Sequence, residues 1–273
     1  MKAKCTMVMI LGVLLGCCGS LVPMWTVAAA EGVKCGDQPI RLAFYEYGFL
    51  YNKGSGIDQE VVNELIRRSG CRFETQVMTR ARIWADLATG DLDMSVSGIR
   101  NEDRDRFAWF ADYMIMKNYA LVRGEVARGV RQARDFLQQT RLQLGVVRSF
   151  RHGIAQDQWI EQLRQAQRVQ DTPDVETLFR KLKSHRVDAM FSQPPVFRKY
   201  FREMDLAGEV VIQDWTPDEK GVPHGLILAK SRFDALDAEQ WRGLLTAMRR
   251  EGVLRKIYMR FVPESEADQL LDF

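Results

Sequence analysis

Residues 84–97, WADLATGDLDMSVS, return later in the chain as residues 179–192, FRKLKSHRVDAMFS. The two align without a gap: Trp84 with Phe179, Leu87 with Leu182, Leu92 with Val187, Asp93 with Asp188, and Ser97 with Ser192. In each, apolar residues recur at helical spacing, a tight turn follows, an Asp opens a short apolar run of strand length, and a Ser closes it. A repeated α/β unit predicts two halves of like construction.

Upstream of the first copy, IRLAFYEY (40–47), DQEVVNELIRRSG (58–70), CRFETQVM (71–78) and ARIWADLATG (81–90) alternate between strand-like and helix-like patterns. That rhythm predicts an α/β fold with mostly parallel sheets flanked by helices. The first helix is expected to start at Asp58 as N-cap, to bury Val61, Val62, Leu65 and Ile66, and to stop at Gly70. Its counterpart in the second half is expected to use Thr172 as cap and Pro173 at its first position, with Val175, Leu178, Phe179 and Leu182 facing inward. Between the copies, MIMKNYALVRGE (114–125) reads as a crossing strand, and DEKGVPHGLILAKS (218–231) reads as the return crossing. Two crossings divide the chain into a discontinuous lobe, residues 31–116 with 222–273, and an inserted lobe, residues 117–221. The helices AEQWRGLLTAMRREG (238–252) and LRKIYMRF (254–261) close the chain.

With 273 residues, 46% of them hydrophobic, the chain can bury a sizeable core. Its first 30 residues are expected to be a signal peptide: Lys2 and Lys4 precede the uncharged run Cys5–Gly16, and Ala28-Ala29-Ala30 offers a cleavage site. An uncleaved span is the alternative, but Gly12, Gly16, Gly19 and Pro23 interrupt the run. Lipid attachment at Cys17, within Leu14-Leu15-Gly16-Cys17, is another alternative, against which Leu15 is bulky and the stretch after Cys18 apolar. Cleavage at Ala30 removes Cys5, Cys17 and Cys18 and places the chain in an oxidising compartment with only Cys35 and Cys71. If their strands are parallel neighbours the two thiols meet as a disulfide; two free thiols are the alternative. Loss of Lys2 and Lys4 leaves 37 of the 39 basic residues against 36 acidic ones, interleaved, so nucleic acid is not an expected partner. No Ser-His-Asp order, P-loop, GxGxxG or metal-ligand spacing occurs, so neither a cofactor nor a metal is expected.

Five stretches carry a resemblance: GIDQEVVNELIRRSG (56–70), LATGDLDMSVSGIRNEDRDRFAWFADYM (87–114), LQLGVVRSF (142–150), ETLFRKLKSHRVDAMFSQPPV (176–196) and LRKIYMRF. They resemble the bacterial extracellular solute-binding proteins of the amino-acid-binding class, family 3 type, the periplasmic partners of ABC importers. Gln59 departs from the signature, which usually has an apolar residue there. The resemblance implies a two-lobe periplasmic-binding-protein fold of type II, joined by two hinge strands near Met116 and Val222, that closes as a monomer on a small solute and docks on an ABC permease.

It also implies a site. In the family an Arg after the strand exit binds the solute's carboxylate, and NEDR (101–104) puts Arg104 there, with Asn101 capping its short helix and Glu102 and Asp103 at the helix's positive end. Arg100 and Arg106 are expected to be surface charge. Ser97, Gly98 and Ser192 end strands that should face the cleft. Ser149, Phe150 and Arg151 are expected at a helix start able to hold an anion. Tyr45 or Tyr47 is expected to stack on the solute, with Glu46 a candidate for negative charge; Arg82 and Trp84 are further cleft candidates. Family members that bind amino acids commonly place an Asp where Gln193 stands. An amide cannot compensate a buried ammonium, so a carboxylate or another polar solute is as well suited as an α-amino acid. Input to a membrane sensor is the alternative role. An enzyme similar to the cyclohexadienyl dehydratases, with Glu46 or His152 as acid, is a further one, against an expectation of no catalysis.

Overall fold

The computed structural model describes residues 32–273; the expected leader with its cleavage point, Cys5, Cys17 and Cys18 lies outside the described residues. In chain order the strands are β1 (Ile40–Phe44), β2 (Phe73–Val77), β3 (Met94–Gly98), β4 (Ala108–Met116), β5 (Tyr119–Arg123), β6 (Leu144–Val147), β7 (Val169–Thr172), β8 (Ala189–Ser192), β9 (Val210–Gln213) and β10 (Val222–Ala229). They form two five-stranded sheets of order β2-β1-β3-β10-β4 and β7-β6-β8-β5-β9. The two orders match position by position. Each has three parallel strands, then one strand that runs against them (β10 or β5), then an outer strand (β4 or β9) that again runs with the first three, so the sheets are mixed.

The repeat has a visible physical basis. Asp93 accepts hydrogen bonds from the Arg41 backbone N–H at 2.9 Å and from its guanidinium at 2.6 Å. Asp188 accepts from the Gln143 backbone N–H at 2.7 Å and from the Arg123 guanidinium at 2.7 Å. In each sheet the Asp thus ties the start of the third strand to its surroundings by a main-chain N–H and a guanidinium, which holds the register. Both come from β1 in the first sheet; in the second they come from the neighbours on either side, the entry to β6 and β5.

Two helix starts differ from expectation. Helix Ile57–Ser69 buries Ile57, Val61, Val62 and Leu65 and stops at Gly70 with φ 68°, but its N-cap is Gly56. Asp58 sits in its first turn and points into the core. In the second half the cap of helix Val175–Lys183 is Asp174, whose carboxylate accepts from the Thr177 N–H at 2.7 Å. Thr172 is instead stitched to the sheet, its hydroxyl donating to the Val146 carbonyl at 3.1 Å.

Ile40 pairs with Phe73 in the parallel β1–β2 ladder, which brings the residues ahead of both strands together, and Cys35 and Cys71 form a disulfide with Cα atoms 5.2 Å apart. The chain leaves the first sheet at Met116, enters the second at Tyr119, and returns beside its exit, since Val222 pairs with Met116. The closing helices Ala235–Arg250 and Val253–Tyr258 pack on β4 and on helix Ile57–Ser69. One apolar cluster runs through the first half and on into the second through Tyr47, Phe150, Val196 and Phe197, and a separate cluster around Phe136 and Trp215 stays within the second half.

Candidate functional site

The strand ends of the two sheets converge. Beyond β1 lie Tyr45–Tyr47, beyond β6 lie Ser149 and Phe150, and beyond β8 lies Gln193. The Tyr47 hydroxyl donates to Gln193 Oε1 at 2.5 Å, and its ring centroid is 5.3 Å from that of Phe150. The Phe49 N–H donates to the Pro195 carbonyl at 3.0 Å. At Gly48, with φ 62°, a Cβ would lie 2.5 Å from Val196 Cα, so only glycine permits this approach. The halves are closed on each other.

Arg104 lies in that junction. The Asn101 side chain accepts from the Arg104 N–H at 2.9 Å and so starts the short helix Glu102–Asp105, from which the guanidinium turns inward. The residue is 7% exposed, and its Cζ lies 3.8 Å from the Trp84 ring centroid. Its two Nη atoms donate to the Ile99 carbonyl of the first half at 2.5 Å and to the Ser149 carbonyl of the second at 2.8 Å. Burial, and then the charges of Arg80 and Arg151, lower its pKa to about 9, so it is a cation at neutral pH held by neutral carbonyls. Arg100 and Arg106 point outward and pair with Asp105 and Asp103.

A second arginine, absent from the candidates that the sequence suggested, stands beside it. Arg80 opens helix Arg80–Thr89, is 2% exposed, and lays its guanidinium 4.0 Å from the Tyr45 ring centroid and 5.3 Å from that of Phe150 in the opposite half. Its Nη2 donates to the Ser97 carbonyl at 2.9 Å. Cations are disfavoured at a helix N-terminus, so an arginine directly after Thr79 was the signal that could have revealed it. Arg82 points away to Asp86.

Ser97 takes a left-handed φ of 48°, and its hydroxyl donates to both Asp58 oxygens at 2.8 Å. Tyr113 also donates to Asp58, at 2.7 Å. Ser97 therefore presents its carbonyl to Arg80 and not its hydroxyl to the cleft. Gly98 is packed under β10, where a Cβ would lie 2.2 Å from an Ile227 side-chain carbon.

Burial raises the Asp58 pKa to about 7, against the hydrogen bonds from Tyr113 and Ser97 and the charge of Arg80. The folded state thus keeps a proton that the unfolded chain releases near pH 4. The resulting stability is complete below about pH 4 and is lost as pH rises toward about 7, a few kcal/mol at roughly 1.4 per unit. His224 works in the opposite sense: burial lowers its pKa to about 3, and its stability is lost as pH falls below the ordinary imidazole range. Denaturation midpoints of Asp58→Asn and wild type, compared between pH 4 and 8, should diverge in favour of the variant as pH rises. Parallel curves contradict this account of Asp58.

Ser149, with φ 62°, and Arg151 are exposed in a turn ahead of helix Ile154–Gln165, which begins three residues beyond Arg151 instead of at these residues. Phe150 is buried and faces Tyr47 and Arg80. Ser192 is buried with its hydroxyl unpartnered. Gln193 accepts from Tyr47, and its amide N–H donates to Asn118 Oδ1 at 2.7 Å, so both ends of the amide are occupied. Glu46 accepts from Asn52 Nδ2 at 3.0 Å and from the Lys53 N–H at 3.1 Å, a turn-closing role. The Tyr45 hydroxyl is buried without a partner, and so is the Trp84 indole N–H. His152 Nδ1 lies 3.5 Å from Asp157. Among the described residues no group of three or more His, Cys, Asp or Glu is placed to hold a metal.

Two cavities open on this junction. One of about 260 Å³ is lined by Arg80, Tyr45, Tyr47 and Phe150, together with Glu46 and Asp174. One of about 600 Å³ is lined by Arg104, Trp84, Ser149, Phe150 and Arg151, and also by Asp103, Asp157, Glu161 and Asp171, whose carboxylates are paired with Arg106, the His152 N–H, Gln165 and Arg164. Val147 and Phe150 belong to both and divide them. The arrangement suits capture of a small anion-bearing molecule between two closing walls.

The family model described as bacterial extracellular solute-binding proteins, family 3, matches residues 40–264. No curated protein matches the chain. Solved structures match along nearly their whole length. The arginine-, lysine-, histidine-binding protein ArtJ from Geobacillus stearothermophilus is 17% identical, with 82% of this chain and 95% of that one covered at a TM-score of 0.68. The substrate-binding protein of an amino acid ABC transporter is 14% identical, with 82% and 99% covered at 0.65. A histidine kinase sensor domain similar to periplasmic binding proteins is 15% identical, with 83% and 96% covered at 0.69. At such identities the likeness is one of fold.

Proposed function

Because this chain belongs to the bacterial extracellular solute-binding proteins, family 3, we propose that it captures a small carboxylate-bearing solute, an amino acid or related acid, between its two lobes and delivers it to an ABC permease. The lobes of this proposal are residues 31–116 with 222–273 and residues 117–221, moving about the paired crossings at Met116 and Val222. The protein acts as a periplasmic monomer, exported by a leader cut after Ala30; the Cys35–Cys71 disulfide fits an oxidising compartment.

One observation carries the reading: a buried guanidinium, Arg104, bridges the two halves through main-chain carbonyls alone. A carboxylate placed there would give it two parallel charged bonds and would link the halves through the solute, so binding and closure become one event. Tyr45, Tyr47 and Phe150 supply apolar walls for the rest of the molecule.

A thermal-shift panel of amino acids, organic acids and polyamines tests this. A solute at a hundred times its dissociation constant adds about 2.7 kcal/mol, which for a chain of this size raises the midpoint by roughly 5–10 °C. Carboxylates should stabilise and polyamines should not; stabilisation by polyamines alone contradicts the proposal. The histidine kinase sensor domain of the same fold favours a second partner, a membrane sensor. Solute uptake lost on deletion of the protein supports the permease; uptake kept while a transcriptional response disappears supports the sensor.

A further inference from the structure

Capture of one carboxylate by Arg104 leaves Arg80 unused, and a ligand-binding role for Arg80 rests on the solute-binding function proposed for the chain. Like Arg104 it is a buried cation whose hydrogen bonds all go to carbonyls: Ser97 at 2.9 Å and, at the limit of a hydrogen bond, Val96 at 3.5 Å. Its Nε is buried with no partner at all. Among the described residues neither arginine forms an ion pair with a carboxylate. Asp58, the acid whose ionisation Arg80 favours, has its oxygens occupied by Ser97 and Tyr113. Glu46 and Asp174, which line the Arg80 cavity, are committed to Asn52 and Lys53 and to Thr177.

The two guanidiniums are also close. Arg104 Cζ lies 3.8 Å and Arg80 Cζ 5.7 Å from the Trp84 ring centroid, so they are no further apart than those two distances end to end. Each opens on its own cavity, and the two cavities share the Phe150 wall. Two desolvated like charges at such range repel one another, and an anionic group for each relieves both the repulsion and the burial.

We infer that the solute is a small diacid, with one carboxylate held by Arg104 and the other by Arg80, and that Arg80 makes the site reject cationic amino acids.

Calorimetry on the exported protein tests this with matched pairs: succinate, glutarate, adipate and glutamate against their monoamides, with arginine and lysine as cations. The best diacid should bind at least about tenfold more tightly than its monoamide, the effect of one charged hydrogen bond. In Arg80→Met that ratio should collapse toward one, and Arg80→Lys should restore part of it. Arginine and lysine should show no binding to the wild type. Equal affinity of diacid and monoamide in the wild type, a measurement that needs no variant, overturns the inference, as does a ratio unchanged in Arg80→Met. If monocarboxylates bind while a second acid adds nothing, only this inference falls. If no carboxylate binds at all, the solute-binding reading falls with it.

Discussion

Replacing Arg104 by alanine is expected to weaken binding of a carboxylate solute by between about tenfold and a hundredfold, the range set by the ~1.5–3 kcal/mol of a hydrogen bond to a charged group. The wild-type side chain already lies flat on Trp84 and donates to two carbonyls, so it reaches the solute pre-oriented and loses little freedom on binding. Arg104→Lys should lose most of the same affinity. It keeps the charge, but an ammonium cannot give a carboxylate two parallel bonds while resting on an indole. Removing a buried cation that lacks an ionic partner relieves a desolvation cost, so the solute-free variant should melt near the wild-type temperature, and a binding loss is then not a folding loss. Calorimetric affinities unchanged in Arg104→Ala would remove this residue from the site.

The second large effect concerns stability. Opening the Cys35–Cys71 disulfide, which spans a sequence separation of 36 residues, should cost about 4 kcal/mol by the entropy of loop closure in the unfolded chain. For a chain of this size that corresponds to a fall of roughly 8–15 °C in the melting midpoint. The loop holds β1, helix Ile57–Ser69 and the entry to β2, so reduction frees the edge of the first sheet and leaves the crossings untouched. Calorimetric scans of Cys35→Ser/Cys71→Ser against the oxidised wild type check this; a difference below about 2 °C contradicts it.

Much of the fold was legible because its strongest constraints are local. The Asp that opens each third strand, the glycine stop of the first helix and the Asn101 cap all act through neighbours a few residues away or through the next strand. The helix starts at Asp58 and Thr172 were misread for one reason. A residue with capping chemistry stood near the right place, but a stronger long-range partner claimed it: Ser97 and Tyr113 for Asp58, the β6 carbonyl at Val146 for Thr172.

The site was less legible for the same reason. Whether a polar side chain faces the cleft depends on what else it can reach once folded. Glu46 is spent on a turn, Gln193 on Tyr47 and Asn118, and Ser97 on Asp58. Arg104 was a candidate because NEDR resembles the family's pattern after the strand exit, and the short helix with its Asn101 cap turns it into the junction. Arg80 carried only the weak signal of a cation at a helix start, and its surroundings combine Trp84 of its own helix with Tyr45 and Phe150, which arrive from two distant parts of the chain.

The most direct measurement is a crystal structure grown with the acid that gives the largest thermal shift. The account predicts carboxylate oxygens about 2.7–2.9 Å from the Arg104 guanidinium, with Tyr45, Tyr47 or Phe150 against the solute body. A solute seated away from the junction of the two sheets, with Arg104 still bonded only to the Ile99 and Ser149 carbonyls, would contradict it.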